Sequence, residues 1–262
     1  MKIGFIGAGN MGGAIIEGIL KNGSEYEISV YDKNKKGLLD ACKKYGVTPS
    51  EDNKTLAKWA DILFLAVKPN VIYSVIDEIK KEVNPNTIIV SIAAGQSIEK
   101  IEKAFGKKIK LVRVMPNTPA LVGEGMSALV PNSNLAEDEL AVICNIFKVL
   151  GKAEIVSESM MDAVTAVSGS SPAYIFMIIE AMADGAVMGG LPRDKAYTFA
   201  AQAVLGSAKM VLETGTHPAE LKDSVCSPAG TTIEAVKVLE ERGLRSAVIE
   251  AMQACMEKSK KL

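Results

Sequence analysis

The sequence predicts an α/β fold: a doubly wound sheet in the amino-terminal part, followed by an all-helical carboxyl-terminal part. Three observations predict it. Strand-like apolar runs alternate with helical patterns up to about residue 157. A glycine-rich turn sits between the first strand and the first helix. Beyond that alternating stretch the strand signal stops and long helical patterns take over.

The first strand is Lys2-Ile-Gly-Phe-Ile6, followed at once by Gly7-Ala-Gly9-Asn-Met-Gly12 and a helical pattern over 14–20. Gly7 allows the tight turn, Gly9 lets backbone approach a pyrophosphate, and Gly12 lets the helix pack closely on the strand. A second strand over 27–31 ends in Asp32, about twenty residues past Gly12, where an acid can accept hydrogen bonds from the adenosine ribose hydroxyls. Strand, turn, helix, strand and terminal acid in that order predict a Rossmann-type unit that binds a nicotinamide dinucleotide. The charge of Asp32 favours NADH over NADPH, because it repels a ribose 2′-phosphate. Lys33, Lys35 and Lys36 follow directly. They either take up that phosphate or form the solvated start of the next helix, so the cofactor is NADPH or NADH.

A helix through Lys44, a short strand near Val47 and a helix beginning near Asn53 come next. Ile62-Leu-Phe-Leu-Ala-Val67 is apolar throughout, as a strand covered on both faces must be, and Lys68-Pro69 stops it. Further strands are expected over 87–91, 110–114 and 126–130, then a helix over 137–150 and a strand over 153–156. Residues 1–157 thus form the dinucleotide-binding domain and 158–262 a helical substrate-binding and dimerisation domain. In such sheets ligands gather at the carboxyl ends of the strands. Those ends carry Ala66-Val-Lys-Pro69, Ile92-Ala-Ala-Gly95 and Met115-Pro-Asn-Thr-Pro119.

The helical part reads as segments over 158–189, 193–214 and 229–260, with a short helix starting near His217-Pro218. Segment 173–189 is apolar nearly all round, through Ile175, Phe176, Met177, Ile178, Ile179, Met182 and Val187. A helix hydrophobic on every face is buried on every face. So small a helical domain cannot bury that much alone, which favours an interlocked homodimer or higher homo-oligomer over burial against its own neighbours.

Composition fits a cytoplasmic enzyme with real cores: 262 residues, 48% hydrophobic, 23% charged, net charge −1. Near-neutral charge gives no footprint for nucleic acid or an anionic membrane. A first strand at residue 2 leaves no room for a targeting peptide. The uncharged run over 163–179 is too short and too polar to span a bilayer. Cys42, Cys144, Cys226 and Cys255 lack CxxC spacing, so no disulfide framework and no metal site is expected.

The second informative motif is Cys226-Ser-Pro-Ala-Gly-Thr-Thr232, running into a helical pattern. A small-residue turn before a helix exposes amides without internal partners at the positive end of the helix dipole, and a substrate carboxylate fits there. Ser227 or Thr231 can equally be an N-cap, with Pro228 at an early helical position. His217, the single histidine, precedes Pro218 at a helix start and reads as a cap rather than an acid.

These motifs together resemble pyrroline-5-carboxylate reductases over the whole length. The resemblance rests on Phe5-Ile-Gly-Ala-Gly-Asn-Met-Gly12, Ala66-Val-Lys-Pro69, Met115-Pro-Asn-Thr-Pro119, Ala163-Val-Thr-Ala-Val-Ser-Gly-Ser-Ser-Pro-Ala-Tyr174 and the stretch from Glu220 to Ala235. It implies NAD(P)H-dependent reduction of 1-pyrroline-5-carboxylate to L-proline, the final step of proline biosynthesis. It also implies roles for matching positions. Gly7, Ala8, Gly9, Asn10 and Met11 would hold the pyrophosphate, Asn53 the adenine side, and Ala66, Val67, Lys68, Pro69 and Ala94 the nicotinamide half. Ser170, Ser227, Ala229, Gly230, Thr231 and Thr232 would bind the substrate, with the Ser168-to-Tyr174 stretch shaping a helix break. The family often has glycine at the positions of Ser171 and Ala229, and many members carry residues suited to NADPH at that of Asp32.

The implied chemistry needs little from the protein. A cyclic imine is already electrophilic, so positioning does most of the work, and Thr232 is the candidate to hydrogen-bond the ring nitrogen. Two rivals fit less well. A β-hydroxyacid dehydrogenase shares the glycine turn but expects a lysine where Ser171 to Met182 has none. A dinucleotide-sensing module needs no carboxylate loop.

Overall fold

The computed structural model describes residues 1–23 and 26–261. Among them the strands are β1 (Lys2–Ile6), β2 (Glu27–Tyr31), β3 (Thr48–Pro49), β4 (Ile62–Leu65), β5 (Ile88–Ser91), β6 (Lys110–Met115), β7 (Gly125–Pro131) and β8 (Gly151–Ile155). They form one sheet in the order β3-β2-β1-β4-β5-β6-β7-β8. Strand order reverses between β1 and β4, which pair in parallel from Ile3↔Ile62 to Ile6↔Leu65. β7 runs antiparallel to β6, with Arg113 opposite Val130, while β8 is again parallel to β7.

The helices of this part are α1 (Asn10–Lys21), α2 (Lys35–Tyr45), α3 (Asn53–Trp59), α4 (Ile72–Ile79), α5 (Ile98–Phe105) and α6 (Glu137–Lys148). Period-2 alternation assigns each strand's side chains to two layers. Ile3, Phe5, Ile62, Phe64, Ile88, Val90, Val112 and Val114 face α1, α2 and α6. Ile6, Leu63, Leu65, Ile89 and Leu111 face α3, α4 and α5. Phe64 centres the first layer, stacked on Phe5 at 4.4 Å and 8° and tilted against Phe147 at 6.1 Å.

Beyond β8 the chain is helical. Met161–Val164 (α7) runs into a π turn over Thr165–Gly169, then α8 (Ser171–Met188), α9 (Arg193–Thr214), α10 (Pro218–Val225), α11 (Thr231–Glu241) and α12 (Leu244–Ser259) follow. The single helix expected over 229–260 is two, because Gly243 takes a φ of +73° that only glycine adopts readily. His217 caps α10 as expected, its Nδ1 accepting from the Ala219 N–H at 3.2 Å.

Contacts divide the described chain into two compact units: residues 1–170 with 255–262, and residues 171–254. The carboxyl-terminal stretch joins the first unit because Ser259 donates to Asp162 at 2.7 Å and the Cys255 thiol donates to Ser170 at 3.2 Å. The second unit has a small core of its own, Ala183, Ala196 and Ala200 with Ile179, Val187 and Leu191 around them. Its large apolar side chains are exposed in the single chain: Phe176 at 62%, Met177 at 69%, Phe199 at 66% and Met188 at 90%. The helical run Glu158–Met188 is long and apolar enough, by length and composition alone, to cross a membrane. It is longer than the 163–179 segment judged too short for that purpose.

Phe64→Ala removes the ring that joins strand layer to helix layer. The expected cost is about 3–5 kcal/mol, read as a lowered midpoint in chemical denaturation of the purified protein.

Candidate active site

The sequence-predicted cofactor residues all lie in the first unit, at the carboxyl edge of the sheet. Gly7 closes β1 with φ +103°, and its N–H donates to the Tyr31 carbonyl at 2.8 Å. A side chain on Gly7 would strike the Ala66 carbonyl of the neighbouring strand. One on Gly12 would meet the Gly7 carbonyl at 2.6 Å, which is the close helix–strand packing expected there. Gly9 is different: a Cβ there meets nothing within 4 Å. It is the N-cap of α1 and no side chain caps that helix, so the first amides open onto free space. Asn10 and Met11 form the start of α1. A helix N-terminus behind an unobstructed glycine is a cradle for a pyrophosphate.

Asp32 sits at the end of β2, and its carboxylate turns toward the glycine turn. Oδ2 accepts from the Ala8 N–H at 2.9 Å and Oδ1 from the Asn34 N–H at 2.8 Å. Its charge is therefore held in place beside the turn. Lys33 is exposed, and Lys35 and Lys36 are exposed at the start of α2, which Asn34 caps.

Asn53 opens α3 behind the cap Asp52. The Thr55 backbone N–H, bonded to Asp52 at 2.7 Å, holds that carboxyl below its usual range. Asn53 is buried; its Nδ2 donates to Glu78 at 2.8 Å, and its Oδ1 has no partner. An orphaned buried acceptor is what an exocyclic adenine amine satisfies. Ala66 continues β4 through its N–H bond to the Ile6 carbonyl at 2.9 Å, Val67 and Lys68 follow, and Pro69 starts a 3-10 turn before α4. Ala94 lies in the next connection, after β5. The orphaned Asn53 acceptor and the open Gly9 cradle fit a nicotinamide dinucleotide.

Sequence reasoning missed a link at this edge. Buried Gln96 accepts a hydrogen bond from the Tyr73 hydroxyl, which ties the connection after β5 to the start of α4. A polar residue directly after Gly95 was the available signal.

The expected substrate residues divide between the units. Ser170 lies in the first, directly after the π turn, its Oγ accepting from Cys255. The others form one turn in the second unit. The Gly230 N–H donates to the Ser227 carbonyl at 3.0 Å, and a Cβ on Gly230 would collide with the Ser227 hydroxyl. Ala229 has φ +56°, in the left-handed region. Neither Ser227 nor Thr231 is the cap that one reading allowed. Gly230 is the N-cap of α11, no side chain caps the helix, and Thr231 and Thr232 are its first residues. The tight turn pulls Ser227 too far back to serve as a cap and leaves the helix amides open to an anion.

The rest of the chain offers little competing chemistry. Burial raises the thiol pKa of both Cys42 and Cys144, which favours their protonated form. Among the described residues no three histidine, cysteine, aspartate or glutamate side chains gather to hold a metal ion.

Comparison with known proteins matches these features. Residues 158–262 match the family described as pyrroline-5-carboxylate reductase dimerisation, and residues 2–95 match one described as NADP oxidoreductase, coenzyme F420-dependent. A pyrroline-5-carboxylate reductase of Escherichia coli is 53% identical over 100% of this chain and 98% of its own. One from Methanosarcina acetivorans is 48% identical over 100% and 97%. Among solved structures, a Plasmodium falciparum pyrroline carboxylate reductase with NADP bound superimposes with a TM-score of 0.90 at 34% identity, covering 100% of this chain and 97% of that one. With an open glycine turn before α1, an uncapped turn before α11 and a relative 53% identical across the whole chain, this chain belongs to the pyrroline-5-carboxylate reductase family.

Proposed function

We infer that this chain reduces 1-pyrroline-5-carboxylate to L-proline at the expense of NAD(P)H, the last step of proline biosynthesis. The observation that carries the reading is its likeness to reductases of that name across the entire chain. When bound, the reduced nicotinamide supplies a hydride to the imine carbon, and a proton on the ring nitrogen completes the amine. The chain's residues then have three tasks: hold the cofactor, hold the substrate's carboxylate and shield the reacting atoms from water.

Residue roles follow from the family resemblance, and the open α1 and α11 starts support them. Gly7, Ala8, Gly9, Asn10 and Met11 take the pyrophosphate on the α1 amides, Asn53 the adenine, and Ala66, Val67, Lys68, Pro69 and Ala94 the nicotinamide half. The turn Ser227, Ala229, Gly230 and Thr231 receives the carboxylate on open amides and hydroxyls, and Ser170 is a substrate residue as the family resemblance implies. Thr232 donates to or accepts from the ring nitrogen as its geometry changes from planar imine to amine. We keep the functional boundary at 157/158: cofactor binding before it, substrate binding and dimerisation after it.

The exposed apolar surface of α8 and α9 belongs to a homodimer or higher homo-oligomer. Dimerisation is the named property of the family that residues 158–262 match. Phe176, Met177 and Phe199 are covered by a second copy of this chain rather than by lipid. Small-molecule chemistry at net charge −1 supports an enzyme without nucleic-acid partners, and four free cysteines support a cytoplasmic setting.

Purified protein is expected to consume NAD(P)H only when pyrroline-5-carboxylate is added, and to form proline, followed by absorbance and amino-acid analysis. Cofactor binding without proline formation would sink the assignment.

Thr232→Ala should lower kcat/KM for the imine by about 5- to 30-fold, or about 1–2 kcal/mol for a lost hydrogen bond. Cofactor affinity should stay unchanged in a fluorescence titration. A KM effect alone would restrict Thr232 to carboxylate anchoring.

Asp32→Asn keeps an acceptor for the Ala8 N–H while removing the charge beside the ribose. NADPH binding should strengthen relative to NADH by about 1–3 kcal/mol, measured as the ratio of the two Kd values. An unchanged ratio would hand cofactor choice to Lys33, Lys35 and Lys36.

A further inference from the structure

The motif Met115-Pro-Asn-Thr-Pro119 supplies no contact in the reading above, yet it holds a buried amide with two strong tasks. Asn117 is 9% exposed. Its Oδ1 accepts from the Met126 N–H at 2.8 Å, and its Nδ2 donates to the Ser168 carbonyl at 3.1 Å. The first bond fixes Asn117 to the start of β7. The second reaches into the π turn that carries the serine-rich stretch.

The chemistry of that turn explains why a donor is needed there. In a regular α-helix the Ser168 carbonyl would accept from the N–H four residues on. That residue is Pro172, which has no N–H and whose ring crowds the same carbonyl. The helix widens instead: the Ser170 N–H bonds to the Thr165 carbonyl, five residues back, at 2.8 Å. The Ser168 carbonyl is then met by Asn117. A second contact locks the same place. A Cβ on Gly169 would collide with the methyl of Met115, so the turn lies directly on the end of β6. β6 pairs with β5, Ser91 opposite Arg113, and β5 leads to Ala94.

We propose that Asn117 is a positioning residue for the reaction: its side-chain amide replaces the N–H missing from Pro172 and fixes the Ser168–Ser170 turn against the carboxyl edge of the sheet, at the register substrate orientation requires. Asn117 touches neither substrate nor cofactor in this role. It acts through the serine turn, so it governs the imine half of the reaction and not dinucleotide affinity. The inference rests on the assignment of Ser170 to the substrate side.

Asn117→Asp tests it, because the carboxylate keeps the acceptor for Met126 and loses the donor for Ser168. The kcat/KM for pyrroline-5-carboxylate should fall about 10- to 100-fold, the scale of a small misplacement of reacting groups. The Kd for NADPH and NADH should stay within about twofold, and hydrogen exchange at the Ser170 amide should quicken. Quickened exchange with wild-type kinetics would overturn the positioning role while leaving the reductase assignment intact. Unchanged exchange, or cofactor Kd weakened as much as kcat/KM, would also overturn it. Should Asn117→Asp fail to fold, Pro172→Ala asks the same question with Asn117 intact. It restores an N–H opposite the Ser168 carbonyl and lets the π turn relax, so kcat/KM should fall by about tenfold or more with cofactor Kd unchanged. Wild-type kinetics in that variant would overturn the proposal.

Discussion

The first unit depends on one close approach, where the Gly7 backbone passes the Ala66 carbonyl. A side chain at Gly7 would force β1 and β4 apart where their order reverses, and its φ of +103° excludes ordinary residues on a second count. Because that turn is tight, α1 starts immediately beyond β1 and presents its uncapped end at the edge of the sheet. Asp32 fastens the turn from the side by accepting the Ala8 N–H. The same carboxylate thus braces the loop and places a negative charge beside it.

The parts of this design that depend on local geometry were legible in the sequence. The glycine turn, the apolar strand at Ile62, the Asp32 acid and the cap at His217 each follow from the conformational preferences of a few neighbouring residues. What escaped notice depends on pairing between distant segments. Nothing within 126–130 specifies that β7 runs antiparallel to β6, since register is settled by partners far along the chain. The short helices α4 and α5 fill the expected alternation at eight residues each; α4 has no side-chain cap to announce it, whereas α5 is capped by Ser97 and closed by Gly106. Pro172 was visible as a helix-breaking signal, but its replacement donor, Asn117, stands in a different motif. In the turn over 226–232 the cap was misplaced because Gly230, not a hydroxyl residue, ends the turn.

Ala229 shows how the second unit stores strain. A methyl group in the left-handed region costs on the order of 1 kcal/mol relative to glycine, and the surrounding turn holds it there. The Gly230 N–H, donating to the Ser227 carbonyl at 3.0 Å, closes that turn around it.

The return of residues 255–261 to the first unit has a consequence for how the protein is made. Domains tend to fold from the amino terminus as the chain emerges during synthesis. Here the bonds Ser259–Asp162 and Cys255–Ser170 join segments from the far end to the π-turn region. The sheet can form on the ribosome, but these two bonds must wait until residues 255–261 have cleared the exit tunnel. The first unit is therefore begun first and completed only after the second unit has been synthesised.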